Sequence, residues 1–70
     1  MNENIVFYAF RYALGRKTVA VGMVVDYLLE NWDSISPAIR GLIQAEIETA
    51  IDKGEAGREM DIKEWSKLLT

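Results

Sequence analysis

Apolar positions recur at helical spacing along most of the chain, and polar caps divide them into four helices. The third helix has the strongest signals, because Ser36 supplies an N-cap and Pro37 fits the first helical position. Its apolar positions then follow at intervals of one to four residues: Ile39, Leu42, Ile43, Ile47, Ala50 and Ile51. We expect this helix to end at Gly54.

The first helix is predicted over residues 3–14 or 5–14, depending on which asparagine caps it. Asn2 and Asn4 both have side chains suited to an N-cap. Gly15 follows the last apolar position and can adopt the left-handed conformation that commonly ends a helix. The N-terminal helix therefore has a signal at each end.

The second helix is predicted over roughly residues 23–32, and its start has the weakest signal. Gly22 is tolerated as an N-cap, and Thr18 is the alternative if the helix begins earlier. Residues 16–21 connect the first two helices, and the β-branched residues among them predict a short extended segment at 18–21.

A short fourth helix is predicted over residues 62–69. Asp61 followed three residues later by Glu64 resembles a capping box, which places the N-cap at Asp61. The chain has no visible linker or repeat, so we expect one domain, residues 1–70. Its predicted class is all-α, a compact bundle of three to four short helices.

The first helix is apolar nearly all round. With Arg11 at the top of a helical wheel, the bottom forms the predicted core face, with aromatic rings on its flanks: Ile5, Val6, Ala9, Ala13, Phe10 and Tyr12. Further apolar side chains lie beside Arg11 at the top: Phe7, Tyr8 and Leu14. Three short helices can hardly surround such an element, so we expect a second copy, a partner or a ligand to cover part of it. The alternative is that loop 54–60 and Trp65 fold over it.

The composition excludes several kinds of chemistry. The chain has 70 residues, of which half are hydrophobic, and it contains neither cysteine nor histidine. It therefore has no thiolate nucleophile, no imidazole base and none of the softer zinc ligands. We expect no catalytic residues, no cofactor and no metal site, and we predict that the protein is not an enzyme.

No targeting or membrane segment is predicted. The first four residues carry no cation, and Arg11 and Arg16 interrupt the apolar stretch that follows, which does not fit a secretory signal. The longest uninterrupted apolar run, residues 19–25, is far shorter than the roughly 18 residues that cross a bilayer. We expect a cytoplasmic protein without a membrane partner.

A cationic and aromatic cluster near the N-terminus is the strongest candidate site. It consists of three cations and three rings: Arg11, Arg16, Lys17, Phe7, Tyr8 and Tyr12. Guanidinium groups bind phosphates in bidentate geometry, and aromatic rings stack on bases, so the set predicts nucleotide binding. Two alternatives remain open: cations stabilise the C-terminal end of a helix in any case, and Arg11 could pair with Asp26.

The rest of the chain is acidic. Residues 26–70 hold ten carboxylates against five cations, so direct DNA binding is disfavoured. Glu46, Glu48 and Asp52 lie on the third helix, where a solvated surface is the simplest interpretation. Such a surface could also dock on a basic groove of another protein.

Four segments together resemble a widespread set of small phage and prophage proteins. They are "YAFRYALGRKT", "VVDYLLENWDSISP", "LIQAEIETAIDKGEAG" and "DIKEW". The resemblance implies a counter-defence factor that acts by binding in the host cytoplasm. Three functions follow as hypotheses: sequestration of a phosphate-containing nucleotide signal, anti-CRISPR-like inhibition of a bacterial defence protein, and a structural or regulatory phage subunit.

Overall fold

The computed structural model describes residues 2–70, and four α-helices account for most of them. They are α1 (Glu3–Ala13), α2 (Val21–Glu30), α3 (Pro37–Asp52) and α4 (Glu59–Ser66), with short 3-10 turns at Trp32–Ser34 and Lys67–Leu69. Residues 2–70 contain no strand. The radius of gyration, 11.0 Å, matches the value of about 11 Å for a compact chain of this length. The all-α class is confirmed.

The predicted ends of α1 are confirmed. The side-chain oxygen of Asn2 accepts hydrogen bonds from the backbone N–H groups of Asn4 (3.1 Å) and Ile5 (3.2 Å), which makes Asn2 the N-cap. Gly15 follows the C-cap with φ of +83°. Both ends depend on groups within a few residues, which is why the sequence predicts them.

The predicted ends of α3 are confirmed too. The Ser36 hydroxyl accepts the backbone N–H three residues further on (3.4 Å), and proline follows it. At the other end, Glu55 N–H donates to the Ala50 carbonyl (2.7 Å) and Gly54 N–H donates to the Ile51 carbonyl (3.1 Å). This is the Schellman pattern, with Gly54 at φ of +72°.

The predicted bounds of α2 are wrong by two residues at each end. The helix begins at Val21 after Ala20, which provides no side-chain cap. A carboxylate oxygen of Glu64 lies 3.2 Å from the position that a Cβ would occupy at Gly22. An acidic group from α4 therefore lies at the first turn of α2, which has no side-chain cap. Residues 17–19 form a turn, and the predicted extended segment does not occur.

The predicted cap of α4 is also wrong. The helix begins after Arg58, and Asp61 lies three residues inside it rather than at the cap. The buried Asp61 carboxylate accepts the backbone N–H of Arg58 (3.0 Å) and its Nε (3.2 Å). Gly57 makes this possible: a Cβ there would lie 2.9 Å from the Asp61 carboxylate.

The Asp61 carboxylate makes part of the folding free energy dependent on pH. The backbone N–H of Arg58 is the largest influence and holds the pKa of Asp61 below its ordinary value. Because the unfolded pKa is higher, about 3.9, the stabilisation is complete above that pH and is lost as the pH falls through the folded pKa. We expect Asp61→Asn to be less stable than wild type at neutral pH and to show a shallower loss on acidification.

Urea unfolding at a series of pH values between neutral and acid tests this expectation. Asp33→Asn is the matched control, because Asp33 is exposed and its side chain has no hydrogen-bond partner within residues 2–70. Wild-type and Asp61→Asn curves that stay parallel down to the most acidic pH would contradict the assignment.

A single core lies between the four helices. Its largest fully buried side chains are Trp65, Phe10, Leu28, Ile35, Ile43, Ile47, Leu68 and Val25. The rings of Phe10 and Trp65 meet edge to face, with centroids 5.4 Å apart and planes at 85°. This contact fixes α1 against α4.

The predicted core face of α1 is confirmed in part: Val6 and Ala13 are buried as predicted, and Phe10, predicted on a flank, is fully buried against Trp65. The buried residues are Val6, Phe10 and Ala13, whereas Ile5 and Ala9 are exposed. Helical spacing allows either stripe to face inward, since both are apolar. Burying Phe10 with the large ring of Trp65 removes more apolar surface from water than burying Ala9 would.

The alternative that later segments cover α1 is confirmed in part. Phe7 and Leu14 are partly buried against the core, and Gly15 lies beside the Glu55 backbone carbonyl. Tyr8, however, remains 79% exposed.

No helix within residues 2–70 has the length and apolar character to span a bilayer.

Candidate ligand-binding surface

Four of the six predicted site residues surround one shallow depression on α1. Phe7, Tyr8, Arg11 and Tyr12 line a space of about 350 Å³, which lies at the small end of the range for ligand sites. Positions 7 and 11 are four residues apart, as are positions 8 and 12, and positions 8 and 11 are three apart, so one helix face presents all four. The depression therefore has one guanidinium and three rings.

Arg11 forms an ion pair across the helix interface. Its Nη1 donates to the Glu46 carboxylate of α3 at 2.9 Å. The alternative prediction that Arg11 pairs with Asp26 is therefore wrong. Both side chains are more than one-third exposed, and such pairs contribute about 0–1 kcal/mol. An anion that binds Arg11 must compete with Glu46 for the guanidinium.

Arg16 and Lys17 lie outside the depression. The Arg16 side chain folds back: Nε donates to the Tyr12 carbonyl (2.8 Å), and the guanidinium carbon is 4.1 Å from the Tyr12 ring centroid. The Lys17 backbone carbonyl accepts a hydrogen bond from Arg58 (3.3 Å), while its ammonium does not line the depression. The structure therefore brings together Arg11 and the rings, with Arg16 stacked at one side.

The three rings differ in how much surface they offer to a ligand. Tyr8 and Tyr12 are 79% and 59% exposed. Phe7 is half-buried, with its ring centroid 5.9 Å from that of Phe10. A planar ligand would find its stacking partner in Tyr8 or Tyr12, and Phe7 would form the floor.

A second, almost wholly apolar groove runs between α1 and α2. Six of its lining residues are Ile5, Tyr8, Ala9, Tyr12, Val19 and Val24. Met23 and Tyr27 are exposed on α2, and helical register places them one and three residues from Val24. We call these eight residues the tyrosine face. Helical spacing in α1 indicates such a face, whereas the core-face prediction placed Ile5 and Ala9 inside.

The acidic residues of α3 do not form one equivalent surface. Glu48 and Asp52 are exposed, whereas Glu46 is partly covered and pairs with Arg11. Within residues 2–70, no group of three or more carboxylates is arranged to hold a metal ion. Glu48 and Asp52 are therefore the freely accessible carboxylates of α3.

Comparison with family models, curated proteins and solved structures found no match to this chain.

Proposed function

We propose that the protein is a non-enzymatic binding protein whose depression on α1 takes a planar, phosphate-bearing ligand such as a nucleotide. One observation carries the proposal: Phe7, Tyr8, Arg11 and Tyr12 line the same depression. A guanidinium binds a phosphate through charge-assisted hydrogen bonds, and an exposed ring stacks on a base. Sequestration of a nucleotide signal as counter-defence is the biological role we propose, following the resemblance to phage proteins.

The Arg11–Glu46 pair gives this proposal a distinctive consequence. A phosphate would replace the Glu46 carboxylate as the partner of Arg11, and the two anions repel each other at short range. Removing the charge of Glu46 therefore frees Arg11 and favours the bound state. Removing the charge of Arg11 has the opposite effect.

Titration calorimetry against a panel of cyclic and ADP-ribose-type nucleotides tests the proposal. We expect Arg11→Gln to weaken binding about tenfold or more, because a hydrogen bond to a charged group contributes about 1.5–3 kcal/mol. We expect Glu46→Gln to tighten it. Lys63→Gln is the control, since Lys63 is an exposed cation of α4 away from the depression. No heat with any nucleotide would contradict the proposal.

The second candidate is inhibition of a basic protein by the acidic side of α3. The exposure of Glu48 and Asp52 favours it. Charge reversal at Glu46 is an ambiguous test, because it also breaks the pair with Arg11. Reversal at Glu48 and Asp52 avoids this problem: loss of defence inhibition with unchanged nucleotide binding would favour the docking function.

A further inference from the structure

The tyrosine face exposes more apolar surface than small monomers usually do. Five of its side chains are at least half exposed: Ile5 (65%), Tyr8 (79%), Tyr12 (59%), Met23 (74%) and Tyr27 (51%). With about 200 Å² for each whole residue, they offer roughly 650 Å², tyrosine hydroxyls included. The largest apolar patch on a typical monomer is about 300–600 Å², and a stable complex buries about 800 Å² on each partner. The exposed area of the tyrosine face therefore approaches the area that one partner buries in a stable complex.

The charges at the two ends of the tyrosine face have opposite signs. At the end formed by Tyr12, the Arg16 guanidinium lies on the Tyr12 ring. At the other end Glu30 is exposed, three residues after Tyr27 and on the same side of α2. Arg16 lies in the loop before α2 and Glu30 is the last residue of α2, whose ten residues rise roughly 15 Å. None of the eight residues of the tyrosine face carries a charge, and the exposed Asp26 of α2 lies one turn before Glu30 and adds a second carboxylate toward that end.

We propose that a second copy of this chain covers the tyrosine face through a two-fold axis. The axis lies in the interface and crosses α2 at right angles, so that the two α2 helices run antiparallel. In this arrangement Arg16 of each copy faces Glu30 of the other, and the apolar centres meet. The same surface then serves both copies, as two-fold dimers require.

Charge selects this arrangement over the other two-fold possibility. An axis parallel to α2 would place Arg16 against Arg16 and Glu30 against Glu30. Like charges that face each other strongly disfavour an interface. The antiparallel dimer instead gains two pairs of opposite charge at its rim.

The dimer goes beyond the proposed function and does not depend on it. The two are nevertheless adjacent, because Tyr8 and Tyr12 line both the groove and the depression of about 350 Å³. A second copy seated on the tyrosine face would stand beside the open side of that depression. Ligand binding and dimer formation can therefore influence each other.

Sedimentation equilibrium over a concentration series tests the dimer. We expect a mass twice the 8.0 kDa of one chain. Tyr8→Glu should weaken association by more than about 100-fold, because it buries an unpaired carboxylate in an apolar interface. Leu42→Glu is the matched control: Leu42 is an exposed apolar residue of α3 outside the tyrosine face, and its replacement should leave the dimer intact.

A charge exchange tests the two-fold arrangement itself. Arg16→Glu should weaken the dimer about tenfold, and adding Glu30→Arg in the same chain should restore it. A single-copy mass at every concentration, or no restoration by the second change, would overturn the proposal.

Calorimetry on Met23→Glu separates the dimer from the proposed function, since Met23 lies on α2 away from the depression. If the wild-type protein is a dimer that binds none of the nucleotides, and Met23→Glu is monomeric, the result supports the second copy and contradicts the proposed nucleotide binding. A wild-type protein that binds a nucleotide as a monomer overturns the dimer alone.

Discussion

Trp65→Ala is expected to remove a large part of the free energy of unfolding. Trp65 is fully buried, and its ring packs edge to face on Phe10. Removing a buried tryptophan side chain costs about 3–5 kcal/mol. A chain of this length has a total stability of only roughly 4–10 kcal/mol, so one substitution removes about a third of it or more. Urea unfolding followed by far-ultraviolet circular dichroism measures the loss.

Two further variants show whether the loss comes from the cavity. Trp65→Phe keeps a ring against Phe10 and removes the buried indole N–H, which has no hydrogen-bond partner within residues 2–70. We expect it to cost clearly less than Trp65→Ala. Trp32→Ala should also cost less, because Trp32 is only partly buried. Equal losses for all three variants would contradict the role given to Trp65.

Gly15→Ala is expected to destabilise the protein by roughly 3 kcal/mol, the sum of two effects. Gly15 has φ of +83°, and this left-handed conformation costs an L-residue with a side chain about 1–2 kcal/mol. In addition, a Cβ would lie 2.5 Å from the Glu55 backbone oxygen, which cannot move aside as a side chain can. Overpacking of this kind costs about 1–3 kcal/mol.

Gly54→Ala separates the two effects. Gly54 has a similar φ of +72°, but no atom lies within 4 Å of its Cβ position. Thermal or urea unfolding should show a loss for Gly54→Ala that reflects conformation alone and a larger loss for Gly15→Ala. Equal losses would mean that the close approach of Glu55 has no energetic weight.

The sequence predicted which residues form the candidate site but not the contacts that their side chains make. Phe7, Tyr8, Arg11 and Tyr12 share one side of a helix, and helical spacing alone reveals this. The partner of Arg11 could not be predicted, because Glu46 is 35 residues away and several carboxylates were available. The conformation of Arg16 was equally open, since its guanidinium has both a carbonyl and a ring within reach.

The sequence by itself determined the helical class and those helix ends whose partners lie within a few residues. Asn2, the Ser36–Pro37 pair, Gly15 and Gly54 all act through local hydrogen bonds or local backbone conformation. Such signals are complete within one turn of the chain.

Only the tertiary structure decided the orientation of α1 and the start of α2. Both apolar stripes of α1 suited a core, and contact with Trp65 selected the one that contains Phe10. The first turn of α2 meets Glu64 of α4. Both outcomes depend on the packing of segments distant in the chain, and periodicity along a single helix carries no information about them.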